Sequence, residues 1–315
     1  MEKRRLGNSD MEITRIGLGA WAIGGSWQFG WGPQDDKESL NTILKAIEGG
    51  INWIDTAAVY GLGHSEEVVG KAIKQLGSQA PLIFTKCGLR WKENSSKRSA
   101  FPILKKESVR EEIEGSLKRL DIETIDLYQI HWPRPPEDIE EAWSEMVKLK
   151  EEGKVRWIGV SNHNVEQMEK LNQIAPVTTL QPPYNLLNRS VEEEILPYCA
   201  EKNIGTIIYS PMASGLLSGK MTPERIKALP NDDWRKWSDN FKEPALSRNL
   251  TLVQKLSSIA KEKGVTTAEV AIAWTLKNPA VTAAIVGMRK PEQVNEVIGG
   301  SDFTLTDEDI KRIEG

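Results

Sequence analysis

The stretch Ile125-Asp-Leu-Tyr-Gln-Ile-His131, the amphipathic segment 137–152 and the run Val155-Arg-Trp-Ile-Gly-Val160 read as strand, helix, strand. The two runs are short, apolar and rich in β-branched residues, whereas the segment between them has the helical period. Two strands joined by a helix are parallel neighbours. Working outward, the same unit recurs in both directions. Upstream lie Ile16-Gly-Leu-Gly19, Ile51-Asn-Trp-Ile-Asp55 and Leu82-Ile-Phe-Thr-Lys86; downstream lie Val177-Thr-Thr-Leu-Gln181, Ile204-Gly-Thr-Ile-Ile-Tyr209 and Ala283-Ala-Ile-Val286. Helical segments fall between them at 36–49, 65–76, 107–120, 164–173, 191–202, 250–263 and 291–298. Helix signals include Ser108 before an acidic first turn and Gly153 and Gly264 as stops. Eight such repeats imply an α/β fold that closes on itself, the (β/α)8 or TIM barrel; an open doubly wound sheet is the alternative pattern. Residues 3–14 predict a hairpin that plugs the barrel bottom, and 267–277 and 306–313 predict extra helices. A single domain over 1–315 is expected.

The composition is that of a globular protein, with 39% hydrophobic and 27% charged residues. A net charge of −4 argues against a nucleic-acid surface, and no apolar run is long enough to span a membrane. Two cysteines, Cys87 and Cys199, form no CxxC pair, so neither a disulfide framework nor a zinc site is expected, and a reduced, cytoplasmic setting fits. His64, His131 and His163 lack metal-ligand spacing. The partner expected is a small molecule, and the protein is expected to act as a monomer with at most weak self-association.

What ends the strands carries the chemistry. Asp55 closes the second run, Lys86 the third and His131 the fourth; Ser161 and Asn162 follow the fifth, Gln181 ends the sixth, and Tyr209 and Ser210 end the seventh. In such barrels this C-terminal rim carries the site. Taken singly, Asp55 reads equally well as a helix cap, Lys86 as a surface residue and His131 as a core histidine. Together they point into one cup. Tyr60 lies just beyond Asp55, and an ammonium at Lys86 would stabilise its phenolate and lower its pKa from about 10. Asp55 would hold the lysine charged, and His131 would bond the same oxygen as the phenol. Such a group protonates an alkoxide as it forms, which carbonyl reduction requires. The two long connections, Gly88 to Lys106 and Ser210 to Asn249, both leave this rim.

The blocks Gly17-Leu-Gly-Ala-Trp21, Asp55-Thr-Ala-Ala-Val-Tyr60-Gly, Phe84-Thr-Lys86, Asp126-Leu-Tyr-Gln-Ile-His131-Trp-Pro133, Ile158-Gly-Val-Ser-Asn162 and Tyr209-Ser-Pro211 resemble the signature blocks of the aldo-keto reductases. The resemblance runs from about residue 3 to 312 and is nearest to bacterial general-stress and inositol-operon reductases and potassium-channel β-subunits. It implies NADPH-dependent reduction of aldehydes and ketones, with Tyr60 as general acid, Lys86 and Asp55 tuning it, and His131 orienting the carbonyl. A histidine at 131 is atypical of the channel subunits and favours catalysis over sensing.

The same resemblance implies a site for NADPH and NADP+. Ala20, Trp21 and Asp55 are among its lining residues, Ser161, Asn162 and Gln181 hold the carboxamide, and Tyr209 stacks on the ring. The stretch from Ser210 through Pro211, Met212, Ser214, Gly215 and Ser218 to Lys220 is the pyrophosphate strap; its small residues expose backbone N–H groups and Lys220 adds a cation. The adenosine end resembles Gly287 to Glu296. Gly287 and Gln293 stand where many reductases carry a lysine and an arginine for the 2′-phosphate, so Arg289, with Lys290, takes that part. Val297 replaces an asparagine often used on adenine.

Gly17-x-Gly19-x-x-Ala22 matches a loose Rossmann fingerprint but lacks the following helix. Tyr198-x-x-x-Lys202 mimics a short-chain dehydrogenase pair inside an amphipathic helix. Of 11 tryptophans, Trp53, Trp143 and Trp274 read as core. Trp21, Trp27, Trp31, Trp91 and Trp132 fall in rim loops, as do Trp234 and Trp237, and Trp27, Trp91 and Trp132 are the expected substrate walls for aldehydes, quinones or α-dicarbonyls. Two other functions fit parts of the pattern: a redox-sensing NADPH-binding subunit, and a barrel isomerase or aldolase with Lys86 as Schiff base. The second suffers because Asp55 would keep that lysine charged.

Overall fold

The computed structural model describes residues 1–92, 99–231 and 233–315. Strands β3 (Ile16–Gly19), β4 (Trp53–Asp55), β5 (Leu82–Cys87), β8 (Ile125–Ile130), β9 (Val155–Ser161), β10 (Thr179–Gln181), β11 (Gly205–Tyr209) and β12 (Ala283–Gly287) close into a barrel. All eight pair in parallel, and β12 returns to β3. This is the (β/α)8 barrel, not the open sheet. The antiparallel pair β1 (Lys3–Arg5) and β2 (Glu12–Thr14) precedes it.

The period of two sorts the strand residues into two cores. Trp53, Phe84, Leu127, Ile207, Ala283 and Ile285 point into the barrel, where they meet Leu6, Met11 and Ile13 of the terminal hairpin. The Trp53 indole donates to the Thr14 carbonyl at 2.9 Å, tying plug to barrel. A Cβ on Gly17 would lie 2.1 Å from the Trp53 ring, so only glycine leaves room for the indole there. Residues of opposite parity, such as Ile54, Tyr128 and Ile130, pack outward against the helices.

The surrounding helices are α1 (Asp36–Glu48), α2 (His64–Leu76), α3 (Lys106–Leu120), α4 (Ile139–Glu151), α5 (Val165–Ile174), α6 (Ile195–Glu201), α8 (Ala245–Lys263) and α10 (Pro291–Val297), with short α7 (Pro223–Lys227), α9 (Thr267–Lys277) and α11 (Asp307–Glu314). Asp35 caps α1, and the capping boxes Asn164/Gln167, Thr266/Glu269 and Thr306/Asp309 open α5, α9 and α11. Helix α6 starts later than its periodicity implies, placing Pro197, which has no N–H to give, in the first turn. Ser108 lies inside α3 rather than before it and donates to Glu112 at 3.1 Å. The connection after β5 carries a hairpin, β6 (Leu89–Trp91) with β7 (Ala100–Pro102), and the one after β11 carries 3-10 turns besides α7. Trp53, Trp143 and Trp274 are buried. Among the described residues no helix is long and apolar enough to cross a membrane.

Glu112 and His163 give the fold opposing pH dependences. Glu112 accepts the Gly88 N–H at 2.9 Å, yet burial pushes its carboxyl up to about 7 from an ordinary 4.5. The folded chain therefore keeps a proton that the unfolded chain releases; this stability is complete below pH 4.5 and lost as pH rises through about 7. Burial pulls His163 down to about 4 from 6.5, so its stability is present above 6.5 and lost as pH falls towards 4. Relative to wild type, Glu112→Gln should gain about 3 kcal/mol between acid and mildly alkaline pH. Denaturant unfolding across that range checks this, and a difference that stays constant with pH refutes it.

Candidate active site

The inward parity that places Trp53, Phe84 and Leu127 in the barrel core places Asp55, Lys86 and Gln129 one step nearer the rim. Lys86 is fully buried, and its ammonium donates to Asp55 Oδ1 at 2.6 Å, the Thr56 carbonyl at 2.8 Å and the Tyr60 hydroxyl oxygen at 3.2 Å. Asp55 Oδ2 accepts from Gln181 Nε2 at 2.8 Å. The Tyr60 and His131 rings meet edge to face, centroids 5.6 Å apart. The four side chains expected from the sequence to be catalytic thus come together, with His131 just past the end of β8.

The loop carrying Tyr60 is held by its neighbours. Ser65 Oγ bonds both Thr56 Oγ1 and the Ala20 carbonyl at 2.9 Å, and the Ser65 N–H donates to the Tyr60 carbonyl. Gly61, with φ of +65°, lies so close to Gly24 that a Cβ would come within 2.1 Å of its oxygen.

The electrostatics correct one expectation. Burial first, and the charge of Asp55 second, hold the Tyr60 phenol well above its usual range. The ammonium of Lys86 does not outweigh them, because Asp55 balances its charge at close range. Burial draws Lys86 below the ordinary range, while Asp55 and its hydrogen bond oppose that shift. His131 is driven well below 6.5 by burial and then by Lys86, so its imidazole is neutral. The site holds a protonated phenol, a salt-bridged ammonium and a neutral imidazole.

Beside this cluster, Asn162 adopts a left-handed φ of +62°. Its Nδ2 donates to the His131 carbonyl and to Ser161 Oγ at 3.0 Å, and its Oδ1 accepts from Tyr209 at 2.9 Å. Ser161 Oγ donates to the Gln181 carbonyl at 2.8 Å. After β11, Ser210, Ala213 and Ser214 all take positive φ ahead of Gly215, a run of local strain where small residues turn the backbone tightly. Pro211 and Met212 lie within this turn, and Ser218 closes it by donating to the Gly215 carbonyl. Gly287 leaves open space, its nearest Cβ neighbour being the Gly19 oxygen at 4.0 Å.

Such a rim fits a nicotinamide dinucleotide. The indole N–H groups of Trp21, Trp27, Trp31 and Trp234 are buried there without a partner among the described residues, and each costs free energy until an acceptor arrives. Residues 15–315 match the model of the aldo/keto reductase family. The chain belongs to that family. It is 43% identical to the aldo-keto reductase YhdN of Bacillus subtilis over 99% of this chain and 92% of that one. It is 34% identical to an NADH-specific methylglyoxal reductase of Escherichia coli, over 98% and 96% of the two chains. A solved glycerol dehydrogenase from Gluconobacter oxydans superposes with a TM-score of 0.89 at 40% identity, covering 99% of this chain and 94% of that one. The protein is accordingly an oxidoreductase of the carbonyl-reducing, nicotinamide-using class.

Several residues of this aldo-keto reductase sit differently from their expected duties. Lys220 is paired with Glu296, so the strap cation and the adenosine-end carboxylate meet each other. Gln293 turns back to cap α10, accepting from the Arg289 and Lys290 N–H groups at 2.7 and 3.1 Å. Arg289 donates to Gln34 Oε1 at 2.7 Å and to the Trp31 and Pro33 carbonyls at 3.2 and 2.7 Å.

The Trp21 and Trp27 rings lie 6.5 and 6.3 Å from that of Tyr60, and Trp132 stacks against His131. Trp91 packs by Arg119 of α3, 5.8 Å away, beside Gly63. Sequence reasoning missed Gln129, Gln34, Arg235 and Asn185; Arg235 lies 4.4 Å over Trp31, and Asn185 donates to the Ser210 carbonyl. Only the inward parity of Gln129 was there to be read.

The ion pair should behave as one unit. Lys86→Met or Asp55→Leu alone leaves an unpaired buried charge and should cost about 3–5 kcal/mol. The double variant should cost less than either single change, and chemical denaturation of the four proteins measures it.

Proposed function

We propose that this aldo-keto reductase is NADPH-dependent and reduces aldehydes and ketones, including aromatic aldehydes, methylglyoxal-like dicarbonyls and quinones, with Tyr60 as general acid. The observation that carries the reading is the Tyr60 hydroxyl 3.2 Å from an ammonium that Asp55 holds at 2.6 Å. NADPH, when bound, supplies the hydride. Tyr60, kept protonated through neutral pH by burial, gives its proton to the carbonyl oxygen as negative charge gathers there. Lys86 stabilises the phenolate left behind, and neutral His131 can donate a hydrogen bond to the same oxygen without contributing a charge. Ser161, Asn162 and Gln181 would hold the carboxamide, Tyr209 would stack on the ring, and Trp27 and Trp132 would wall the substrate.

The choice of NADPH rests on Arg289. Among the described residues its side chain bonds only neutral acceptors, Gln34 and two carbonyls; burial first and the charge of Arg235 second hold it below its ordinary range, opposed by the charges of Glu38 and Asp233. A guanidinium without a salt bridge among the described residues, between the first loop and α10, suits a phosphate. The E. coli relative is NADH-specific, so the preference needs direct measurement. The chain works as one domain, as a cytoplasmic monomer; its two thiols are buried and unpaired.

Tyr60→Phe should lower kcat for a nitrobenzaldehyde or methylglyoxal by about 10²–10⁴ while dinucleotide affinity stays put. Wild-type reduction should hold through neutral pH and fail only under alkaline conditions, where the phenol loses its proton. A Tyr60→Phe enzyme with wild-type turnover removes the assignment.

Arg289→Ala should weaken NADPH binding about tenfold or more and change NADH binding little. Equal losses for both dinucleotides, or tighter wild-type binding of NADH, would refute the NADPH preference.

A further inference from the structure

Gln129 is a polar side chain of the barrel interior to which the reaction above gives no part. It is fully buried on β8, one inward position above Leu127. Its Nε2 makes a long 3.5 Å contact to Asp55 Oδ2, and its Oε1 accepts from Gln181 Nε2 at 3.4 Å. Gln181 Nε2 makes the shorter 2.8 Å bond to the same Asp55 oxygen. Two primary amides and one carboxylate oxygen therefore close a triangle beneath the ammonium of Lys86.

The triangle has one consistent orientation. Asp55 only accepts, so both amides turn nitrogen towards it, and the oxygen of Gln129 is then the group left to receive the second hydrogen of Gln181. A buried amide costs free energy unless paired, and a leucine at this depth would fill the space more cheaply. We propose that Gln129 is a positioning residue: it fixes the amide of Gln181 and the second oxygen of Asp55, and so keeps the first oxygen on Lys86 and Lys86 on Tyr60. The role rests on the carbonyl-reducing reading of the site. It braces the bond by which two functions already meet, since Gln181 serves the carboxamide end of the cofactor site and Asp55 serves the proton donor. Partly neutralised by two donors, Asp55 also opposes loss of the phenol proton less strongly than a bare carboxylate would.

A glutamate at 129 separates this role from mere filling. Protonated, its carboxyl donates to Asp55 and accepts from Gln181 as the amide does; ionised, it donates nothing and sets a second negative charge beside Asp55. The experiment compares wild type, Gln129→Leu, Gln129→Glu, Gln181→Leu and the Gln129→Leu/Gln181→Leu double variant across pH. Steady-state reduction is measured, with NADPH and NADH binding followed by tryptophan fluorescence. Gln129→Leu should lose about tenfold in kcat with the carbonyl KM within about twofold, and should bind dinucleotide severalfold more weakly. Gln129→Glu should approach wild type at acid pH and fall to or below Gln129→Leu at alkaline pH, in turnover and in binding alike. The double variant should bind no more weakly than Gln181→Leu alone. Gln129→Glu indistinguishable from Gln129→Leu at every pH, or binding losses that multiply in the double variant, would overturn the role. Absent wild-type turnover would remove the reductase reading instead, and the binding arm would still decide the part played by Gln129.

Discussion

An ammonium and a carboxylate, both out of reach of water, sit where the barrel changes from apolar filling to chemistry. Taking two such charges from water costs several kcal/mol each, and their attraction offsets that only with short contacts and further hydrogen bonds. Here Lys86 has Asp55 and the Thr56 carbonyl, and Asp55 has Gln181 on its other oxygen. These bonds draw together β4, β5 and β10 and the loop that leads to Tyr60. The rim is rigid because charge burial would otherwise be too unfavourable to sustain.

The pair also sets what kind of acid the phenol is. A lone lysine would make Tyr60 more acidic, but one matched to an aspartate at 2.6 Å presents a dipole to its surroundings. Burial then dominates, and the phenol stays protonated. Such a group is a poor acid towards water and a good one towards an alkoxide formed beside it, where the new charge is as badly solvated as the phenolate it replaces.

Residues that act through parity and spacing were legible in the chain. The eight apolar runs gave the barrel, and polar residues at the ends of those runs gave Asp55, Lys86 and His131. What stayed hidden depends on depth or distant partners. The direction of the Tyr60 shift turns on how far its phenol is withdrawn from water beside Asp55, which no local pattern encodes. The partner of Arg289 is Gln34, far away in sequence, brought close because the last strand pairs with the first. Gln129 looked like a mid-strand residue because its polarity is meaningful only once Leu127 is known to face the barrel axis. Helix α6 was read too long because the periodicity continues through residues that the chain uses as a turn before Pro197.

The terminal hairpin has a consequence for traffic. Leu6, Met11 and Ile13 stopper the barrel from below, packed on Trp53 and Phe84. The polar side chains gather at the other end. On the proposed function, carbonyl, alcohol, dinucleotide and the proton that restores Tyr60 after each cycle would all cross the tryptophan-rich lip, so reloading the acid would wait on the same doorway as departure of the product.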